Sequence, residues 1–252
     1  MKQKKYNMKR YLSIFLTYIL ISSCSSDKKI NSDFIGHWIK EDFYNHISEQ
    51  KNLIDYTGDN IEFVIPDNDT NYTLINFKGN INSGPLEFMD KDHLVIKNYF
   101  GYFKNADLKL NGNKLEIINI ETGEKQVFKK ITSEDLNSPE ATLLSTYCLP
   151  FINKKYFAGS YLLGNDTITF STVGHISNLG SIENYSFCLS ELCRNSSVRN
   201  TVFLSNNKNE GNYYEYDLKS DSLIIYEIDI NAFNRGKKAG NIGVKYQLKK
   251  LN

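Results

Sequence analysis

The side chains that could act as acids, bases or metal ligands are scattered along this sequence. His37, His46, His93 and His175 have no second histidine, cysteine or carboxylate at helical or strand spacing, apart from Asp92 beside His93. An acid–base or metal site needs such groups to converge. We therefore predict no catalytic residue, no metal site and no cofactor. We interpret the histidines as surface or barrel-end residues.

Motifs for nucleophiles and phosphate binding lead to the same prediction. No serine stands in a Gly-x-Ser-x-Gly or Ser-x-x-Lys context that would activate it, and no glycine-rich loop carries the Lys and Ser/Thr of a phosphate site. A hydrolase would have to use scattered carboxylates, such as Glu41 with Asp42 or Asp90 with Asp92, or His175. A periplasmic hydrolase is therefore the alternative to a non-enzymatic protein.

Cys24 is the residue whose neighbours suggest a defined chemistry. The first ten residues are basic without an acid, and an uncharged, mostly apolar stretch follows over residues 11–23. A membrane-spanning helix needs roughly 20 apolar residues, so this run is too short. A basic start, a short apolar core and small residues at its end are typical of a secretory signal.

Ile21-Ser22-Ser23-Cys24 resembles the lipobox of bacterial lipoproteins, with Ile21 where Leu is preferred. The resemblance implies cleavage before Cys24, a diacylglyceryl thioether on its sulfur and an acylated amine. Two or more acyl chains anchor a protein firmly. We expect residues 1–23 to be a lipoprotein signal peptide, Cys24 to be the lipid-attachment site, and residues 24–32 to form a tether. The alternative is an ordinary signal peptide with an incidental cysteine.

The charge of the remaining chain bears on its partners and its location. Removal of the five basic residues of the leader from 30 basic and 29 acidic residues leaves a net charge of −4, which excludes a nucleic-acid footprint. Asp27 stands alone after Cys24 and is followed by Lys28 and Lys29, whereas surface-exposed lipoproteins of the Bacteroidota often carry an acidic run there. We expect attachment to the outer membrane, facing the periplasm.

Three cysteines, Cys148, Cys188 and Cys193, remain once Cys24 is assigned to the anchor. Disulfides form in oxidising compartments, so Cys188 and Cys193 could close a small loop. Cys148 with either partner would close a larger one, and one thiol is left over in every case. The spacing of Cys188 and Cys193 has no second Cys or His pair to complete a zinc site.

Short alternating runs separated by turns begin near residue 33. The segments 108–110 and 115–118 flank Asn111-Gly112-Asn113, which is a strong hairpin signal. Similar runs recur at residues 61–65, 72–77, 86–89, 93–96, 126–128, 167–170, 185–187, 201–204, 213–216, 223–226 and 244–248. We predict a mainly β protein with an antiparallel meander that forms barrels or sandwiches.

Residues 132–155 differ from the runs on either side. Ser138-Pro139-Glu140 places a capping serine before a proline at the first helical position, which predicts a short helix over residues 141–147 that ends at Pro150. This segment is either a connector or a helix packed against a barrel mouth. We expect a first β domain over residues 33–131 and a second over residues 156–252.

The two halves match each other at corresponding places, which indicates a tandem repeat. Phe34-Ile35-Gly36-His37-Trp38 corresponds to Phe157-Ala158-Gly159-Ser160-Tyr161, and both halves close on a Lys-Lys pair at 129–130 and 249–250. Gly36-His37-Trp38 resembles the first-strand motif of lipocalin-like barrels, in which the Trp plugs the closed end. The resemblance implies two tandem lipocalin-like barrels, of the modest kind found in lipoproteins of the Bacteroidota.

Aromatic residues are the remaining candidates for ligand contacts. Tyr214 and Tyr216 share one face of a predicted strand and Tyr213 lies on the other. Such residues can line a ligand mouth, but core packing is favoured. The sequence thus predicts a membrane-anchored, non-enzymatic binding module of the cell envelope, whose partner is a protein or a small apolar ligand. An inhibitor or immunity-type lipoprotein is a further alternative.

Overall fold

The computed structural model describes residues 30–58, 60–67, 71–76, 81–90, 93–99, 103–141, 144, 146–189, 193, 200–237 and 239–251. The predicted signal peptide, Cys24 and most of the predicted tether lie outside these ranges.

The first barrel is closed by eight antiparallel strands in sequential order, because β8 pairs back onto β1. Its strands are β1 Gly36–Lys40, β2 Asn60–Ile65, β3 Asn71–Asn76, β4 Ile81–Asp90, β5 His93–Tyr99, β6 Phe103–Asn111, β7 Lys114–Asn119 and β8 Lys125–Ile131. The predicted hairpin is present, since β6 and β7 pair on either side of residues 112–113.

The second barrel has the same order and the same number of strands. Its strands are β9 Gly159–Leu163, β10 Asp166–Phe170, β11 His175–Leu179, β12 Ile182–Phe187, β13 Thr201–Ser205, β14 Gly211–Leu218, β15 Ser222–Ile228 and β16 Asn241–Lys250. The predicted mainly β fold with two tandem antiparallel barrels is confirmed, and the barrel rather than the sandwich is the correct form.

An equivalent pair of aromatic residues is buried in each barrel. In the first barrel the Trp38 indole Nε1 donates a hydrogen bond of 2.8 Å to the carbonyl oxygen of Phe34. In the second barrel the Tyr161 hydroxyl donates one of 2.9 Å to the carbonyl oxygen of Phe157. Gly36 (φ +133°) and Gly159 (φ +147°) adopt a backbone that other residues rarely adopt, which explains the glycine between the two aromatics.

The lysine pair at the end of each half also occupies equivalent positions. Lys130 lies opposite Trp38 in the β1–β8 register, and Lys250 lies opposite Tyr161 in the β9–β16 register. The Lys130 ammonium stands 5.0 Å from the Trp38 ring centroid and donates to the carbonyl oxygen of Asp33. A cation over an aromatic face is favourable, so this contact helps to hold Trp38 in place in the first barrel.

In the described part of the chain, four helices lie outside the barrel walls. They are α1 Glu41–Ser48, α2 Ser133–Leu136, α3 Cys148–Tyr156 and α4 Ile230–Asn234, together with a 3₁₀ turn at Leu53–Asp55. Phe43 and Ile47 of α1 are fully buried against the outside of the first barrel. Two buried apolar side chains of this size contribute roughly 1.5–3 kcal/mol each, and they hold α1 in place.

The predicted helix over residues 141–147 is wrong where the structure describes it, since the helix begins at Cys148 instead. Pro150 lies in the first turn of α3 rather than beyond its end. A proline is tolerated there because the first amides of a helix have no intrahelical acceptor. Residues 142, 143 and 145 lie outside the described part of the chain.

One apolar core joins the outside of the first barrel to the inside of the second. It includes Ile39 and Phe43 on the first barrel side, Phe151 of α3, and Phe157 and Phe170 within the second barrel. The interior of the first barrel forms a separate core. The described residues of the segment 132–155 are therefore part of the packed structure, and α3 lies against the mouth of the second barrel.

Candidate functional site

Large side chains occupy the interiors of both barrels. Trp38, Phe63, Tyr72 and Phe128 in the first barrel are at most 1% exposed. Tyr161, Phe170, Tyr185, Phe187 and Tyr216 pack ring to ring with Phe157 and one another in the second. Closely packed interiors have few voids larger than a water molecule. An apolar ligand inside either barrel would have to displace these rings.

The three neighbouring tyrosines of β14 separate as their alternation predicts. Tyr216 is buried inside the barrel, where its hydroxyl has no hydrogen-bond partner among the described residues. Burial raises the pKa of Tyr216 well above its ordinary value, with a smaller effect from Tyr156. Tyr213 lies on the outside, 4.8 Å from the Phe233 ring of α4. Tyr216 therefore serves the core, in agreement with the favoured interpretation.

The first surface, which we call the wall cleft, runs along the outside of the first barrel and has a volume of about 500 Å3. Its apolar lining comes from β1 to β4 and the loops beside them, and its polar lining includes His37. The lining residues are Ile35, Gly36, His37, Val64, Ile65, Pro66, Asp67, Thr73, Ile75, Ile81 and Thr146. Ile81 is 64% exposed at its edge.

Glu62 fixes the inner side of this region. The strand β2 that carries it is buried on both faces, because the barrel core covers one face and the connector covers the other. The Glu62 carboxylate is fully buried and accepts hydrogen bonds from the backbone N–H groups of Tyr147 (2.8 Å) and Cys148 (3.0 Å). These two amides start helix α3, and a carboxylate is favourable there because helix N-termini carry partial positive charge.

His37 completes a carboxylate–histidine pair at the wall cleft. Its Nδ1 lies 2.8 Å from Oε1 of Glu62, and its ring stacks on Tyr147 with centroids 3.7 Å apart. His37 lines the cleft while Glu62 is hidden behind it. Such a pair can orient an imidazole as a general base or a hydrogen-bonding group. In the described part of the chain the His37 ring makes no hydrogen bond to a hydroxyl or a thiol.

A second surface, which we call the mouth cleft, lies where α3 meets the second barrel and has a volume of about 370 Å3. It is lined by Leu144, Thr146, Leu149, Pro150, Asn153, Val173, Gly174, Tyr185, Ser186 and Phe187. Leu144 and Leu149 are 41% and 51% exposed. Thr146 lines both clefts, so the wall cleft and the mouth cleft form one surface across the joint between the barrels. We call it the interbarrel surface.

Cys188 and Cys193 are joined in a disulfide, which closes the smallest of the three loops that Cys148, Cys188 and Cys193 allow. Both lie in a small apolar cluster with Phe233 on the outside of the second barrel. Cys148 is the free cysteine of the described residues and is buried. Burial raises the pKa of the Cys148 thiol well above its ordinary value, and the nearby Glu62 carboxylate adds to the effect. The thiol is thus protonated and enclosed.

Within the described residues, the side chain of each of the other histidines makes one hydrogen bond, on the outside of the molecule. His93 bonds to Asp107 across β5 and β6 at 2.9 Å, and His46 bonds to the carbonyl oxygen of Asn52 at 2.7 Å. His175 is exposed and bonds to Asn184 at 2.8 Å. These residues do not converge with one another.

The carboxylates named for a hydrolase have structural partners where they are described. Glu41 pairs with Lys114 at 2.6 Å, and Asp42 accepts a hydrogen bond of 2.9 Å from the Tyr56 hydroxyl. The side chains of Asp90 and Asp92 lie outside the described part of the structure. Sequence reasoning missed the His37–Glu62 pair, because the two residues meet across strands. The available signal was a single charged residue in the apolar strand Ile61-Glu62-Phe63-Val64-Ile65.

Within the described ranges, no three His, Cys, Asp or Glu side chains come together in a way that could hold a metal ion. The described helices are all too short or too polar to cross a bilayer. No protein-family model, no curated protein and no solved structure matches the chain.

Proposed function

We propose that this protein is a lipid-anchored, non-enzymatic binding module of the cell envelope, and that its interbarrel surface binds a protein partner. The observation that carries the proposal is the position of the exposed apolar residues. Ile81, Leu144 and Leu149 border two clefts that meet at Thr146. Contiguous exposed apolar surface with polar groups at its edge is typical of protein-binding sites.

A protein partner is favoured over a small apolar ligand by the shape of these clefts. Small-ligand sites usually enclose most of the ligand surface. Both clefts are open at the molecular surface, and the barrel interiors are filled by aromatic residues. His37, held by Glu62, supplies a directed polar group in a mostly apolar cleft, which is how such surfaces obtain specificity.

Site-specific photocrosslinking in intact cells tests the proposed surface. A photoreactive residue is placed at Leu149 or at Ile81, and the matched controls are Ile120 and Met89, which are 52% and 56% exposed and line neither cleft. We expect the same adduct from positions 149 and 81, and none from the controls. A Leu149→Asp substitution should also remove the adduct at position 81. Equal adducts at all four positions would contradict the proposal.

The anchor is tested separately. A Cys24→Ser variant should lose incorporated palmitate and leave the membrane fraction, whereas a Ser25→Ala control should retain both. Outer-membrane attachment facing the periplasm predicts that added protease degrades the protein only after the outer membrane is permeabilised. A Cys24→Ser protein that stays in the membrane fraction would exclude the lipid anchor.

A periplasmic hydrolase is the second candidate function, and the His37–Glu62 pair at the wall cleft is the observation that favours it. If His37 acts as a general base, a panel of ester, amide and glycoside substrates should reveal an activity that His37→Gln reduces by at least roughly a hundredfold. The control His93→Gln, at a histidine that lines neither cleft, should leave that activity unchanged. An inhibitor or immunity function would instead appear as a toxin or secreted enzyme in the crosslinked adduct.

A further inference from the structure

The last strand of the second barrel has a free edge. Strand β16 pairs with β15 from Asn241 to Lys249, but on its other side it pairs with β9 only at Lys249 and Lys250. Strand β9 ends at Leu163, and the chain turns away at residues 164–165. Among the described residues, no strand pairs with residues 241–247 on the side away from β15. We call residues 241–247 of β16 the free edge.

The free edge carries apolar side chains that are more than half exposed to solvent. Ile242 is 66% exposed and Val244 is 59% exposed, which makes Ile242 the most exposed large apolar residue of the described chain. The Gly243 N–H bonds to the side-chain oxygen of Asn241. Backbone groups that no strand pairs, beside exposed β-branched residues, form a template for another strand. Proteins often protect such an edge with a lysine. Here the Lys245 ammonium lies 2.8 Å from Glu227 on β15, so it is directed away from the free edge.

The surroundings of the free edge are basic. Arg235 and Lys237 precede it, and Lys249 and Lys250 follow it, and all four are exposed. In the described part of the chain none of these four makes an ion pair. Asp221, which accepts a hydrogen bond from Ser222, lines a surface cleft with Lys249 and offsets part of this charge. The net positive charge at both ends favours an acidic occupant.

We propose that the free edge binds an extended, acidic segment of a partner protein by β-strand addition. A second copy of this chain fits less well. Antiparallel pairing of two β16 strands about Val244 would bring Lys249 and Lys250 of each copy towards Lys237 and Arg235 of the other, which places like charges together. This surface is separate from the interbarrel surface, so either proposal can fail without the other.

The backbone directions identify a substitution that blocks the free edge alone. Lys250 donates its N–H to Asp221 next to β15, and Leu251 donates its N–H to Ser160 of β9. Donors alternate along a strand, so the N–H of Gln247 points to the side of the free edge. Gln247→Pro removes this donor and leaves the bonds to β15 in place, since proline is tolerated on an edge strand. Gln247→Thr keeps the N–H and is the matched control.

The test measures binding of fluorescent ten-residue peptides to the purified full-length lipoprotein in detergent. One peptide alternates valine and glutamate, and the other alternates valine and lysine. We expect the acidic peptide to bind at least tenfold more tightly than the basic one, and to weaken as salt is raised. Gln247→Pro should weaken acidic-peptide binding at least tenfold, and Gln247→Thr should not. Circular dichroism checks that both variants are folded.

A charge variant makes the test independent of the proline. Lys237→Glu with Lys249→Glu should reverse the preference towards the basic peptide while the barrel stays folded. Equal binding of the two peptides, no binding of the acidic peptide, or equal binding by Gln247→Pro and Gln247→Thr would each overturn the proposal. A dimer of the wild-type protein that Gln247→Pro dissociates would identify a second copy as the occupant and would also overturn it.

Discussion

Replacing Glu62 by glutamine should destabilise the protein strongly although the two side chains have nearly the same shape. The Glu62 carboxylate accepts hydrogen bonds from His37, Tyr147 and Cys148, and it is fully buried. A glutamine side chain has one oxygen in place of two. Its NH₂ group must therefore face either the N–H of Cys148 or the donors of His37 and Tyr147. One hydrogen bond is lost, and two donors are left facing each other.

The expected loss can be worked out from these contacts. A hydrogen bond to a charged group contributes about 1.5–3 kcal/mol, and a carboxylate at a helix N-terminus contributes about 0.3–1 kcal/mol. We therefore expect Glu62→Gln to lower the free energy of unfolding by about 3 kcal/mol. With a urea slope of about 3 kcal/mol/M, the unfolding midpoint should fall by about 1 M. The amide protons of Tyr147 and Cys148 should also lose protection against hydrogen exchange.

The matched control is Glu87→Gln, which removes a surface ion pair. Glu87 lies 2.6 Å from Lys97, and the two side chains are 42% and 57% exposed. Surface pairs contribute about 0–1 kcal/mol, so the midpoint should move by at most about 0.3 M. If Glu62→Gln and Glu87→Gln shift the midpoint equally, the carboxylate does not hold the start of helix α3 in the way described.

Three further predictions concern residues inside the fold. Burial raises the pKa of Tyr161 from 10.0 to about 12, so the unfolded chain ionises first and stability should fall as pH rises above about 10. Tyr161→Phe also loses the hydrogen bond to Phe157. It should flatten this fall in urea unfolding measured between about pH 9.5 and 11. In the native Cys24→Ser protein, Cys148 should not react with a thiol reagent at about pH 8, and one reactive thiol should appear on unfolding. Fast reaction of Cys148 in the native protein would contradict its burial. Trp38→Phe removes the indole hydrogen bond and the contact with Lys130, and it should cost about 2–3 kcal/mol in thermal unfolding. A cost below about 0.5 kcal/mol would exclude these contacts as stabilising.

The strands and the repeat could be predicted because their causes are local. The hairpin at residues 111–114 follows from an Asn-Gly turn between alternating runs, and the structure pairs β6 with β7 there. The match between Phe34-x-Gly-x-Trp38 and Phe157-x-Gly-x-Tyr161 reflects a shared backbone geometry. In both barrels the second aromatic bonds to the carbonyl of the first, four residues earlier.

The candidate site could not be predicted, because its contacts cross large distances in the sequence. Glu62 contacts Tyr147 and Cys148 at the start of helix α3, and these residues lie 85 and 86 positions later in the sequence. No local pattern indicates that pairing. Helix α1 was also not predicted. Its eight residues bury only two side chains, which is too few to show the periodic apolar pattern of a helix. The incorrect helix over residues 141–147 was predicted from a local signal, Ser138 before Pro139. The Ser138 hydroxyl does accept a hydrogen bond from the N–H of Ala141, but no longer helix begins there among the described residues.

The joint between the barrels links stability to the proposed binding surface. Helix α3 has its start on the wall of the first barrel through Glu62 and its end in the core of the second through Tyr156 and Phe157. The exposed Leu149 lies in the first turn of this helix, beside Cys148. A change at Glu62 should therefore disturb Leu149 and the mouth cleft even though Glu62 lines neither cleft. Because one apolar core crosses the joint, separating the chain between residues 131 and 156 would expose that core, so we expect neither half to bind the partner alone.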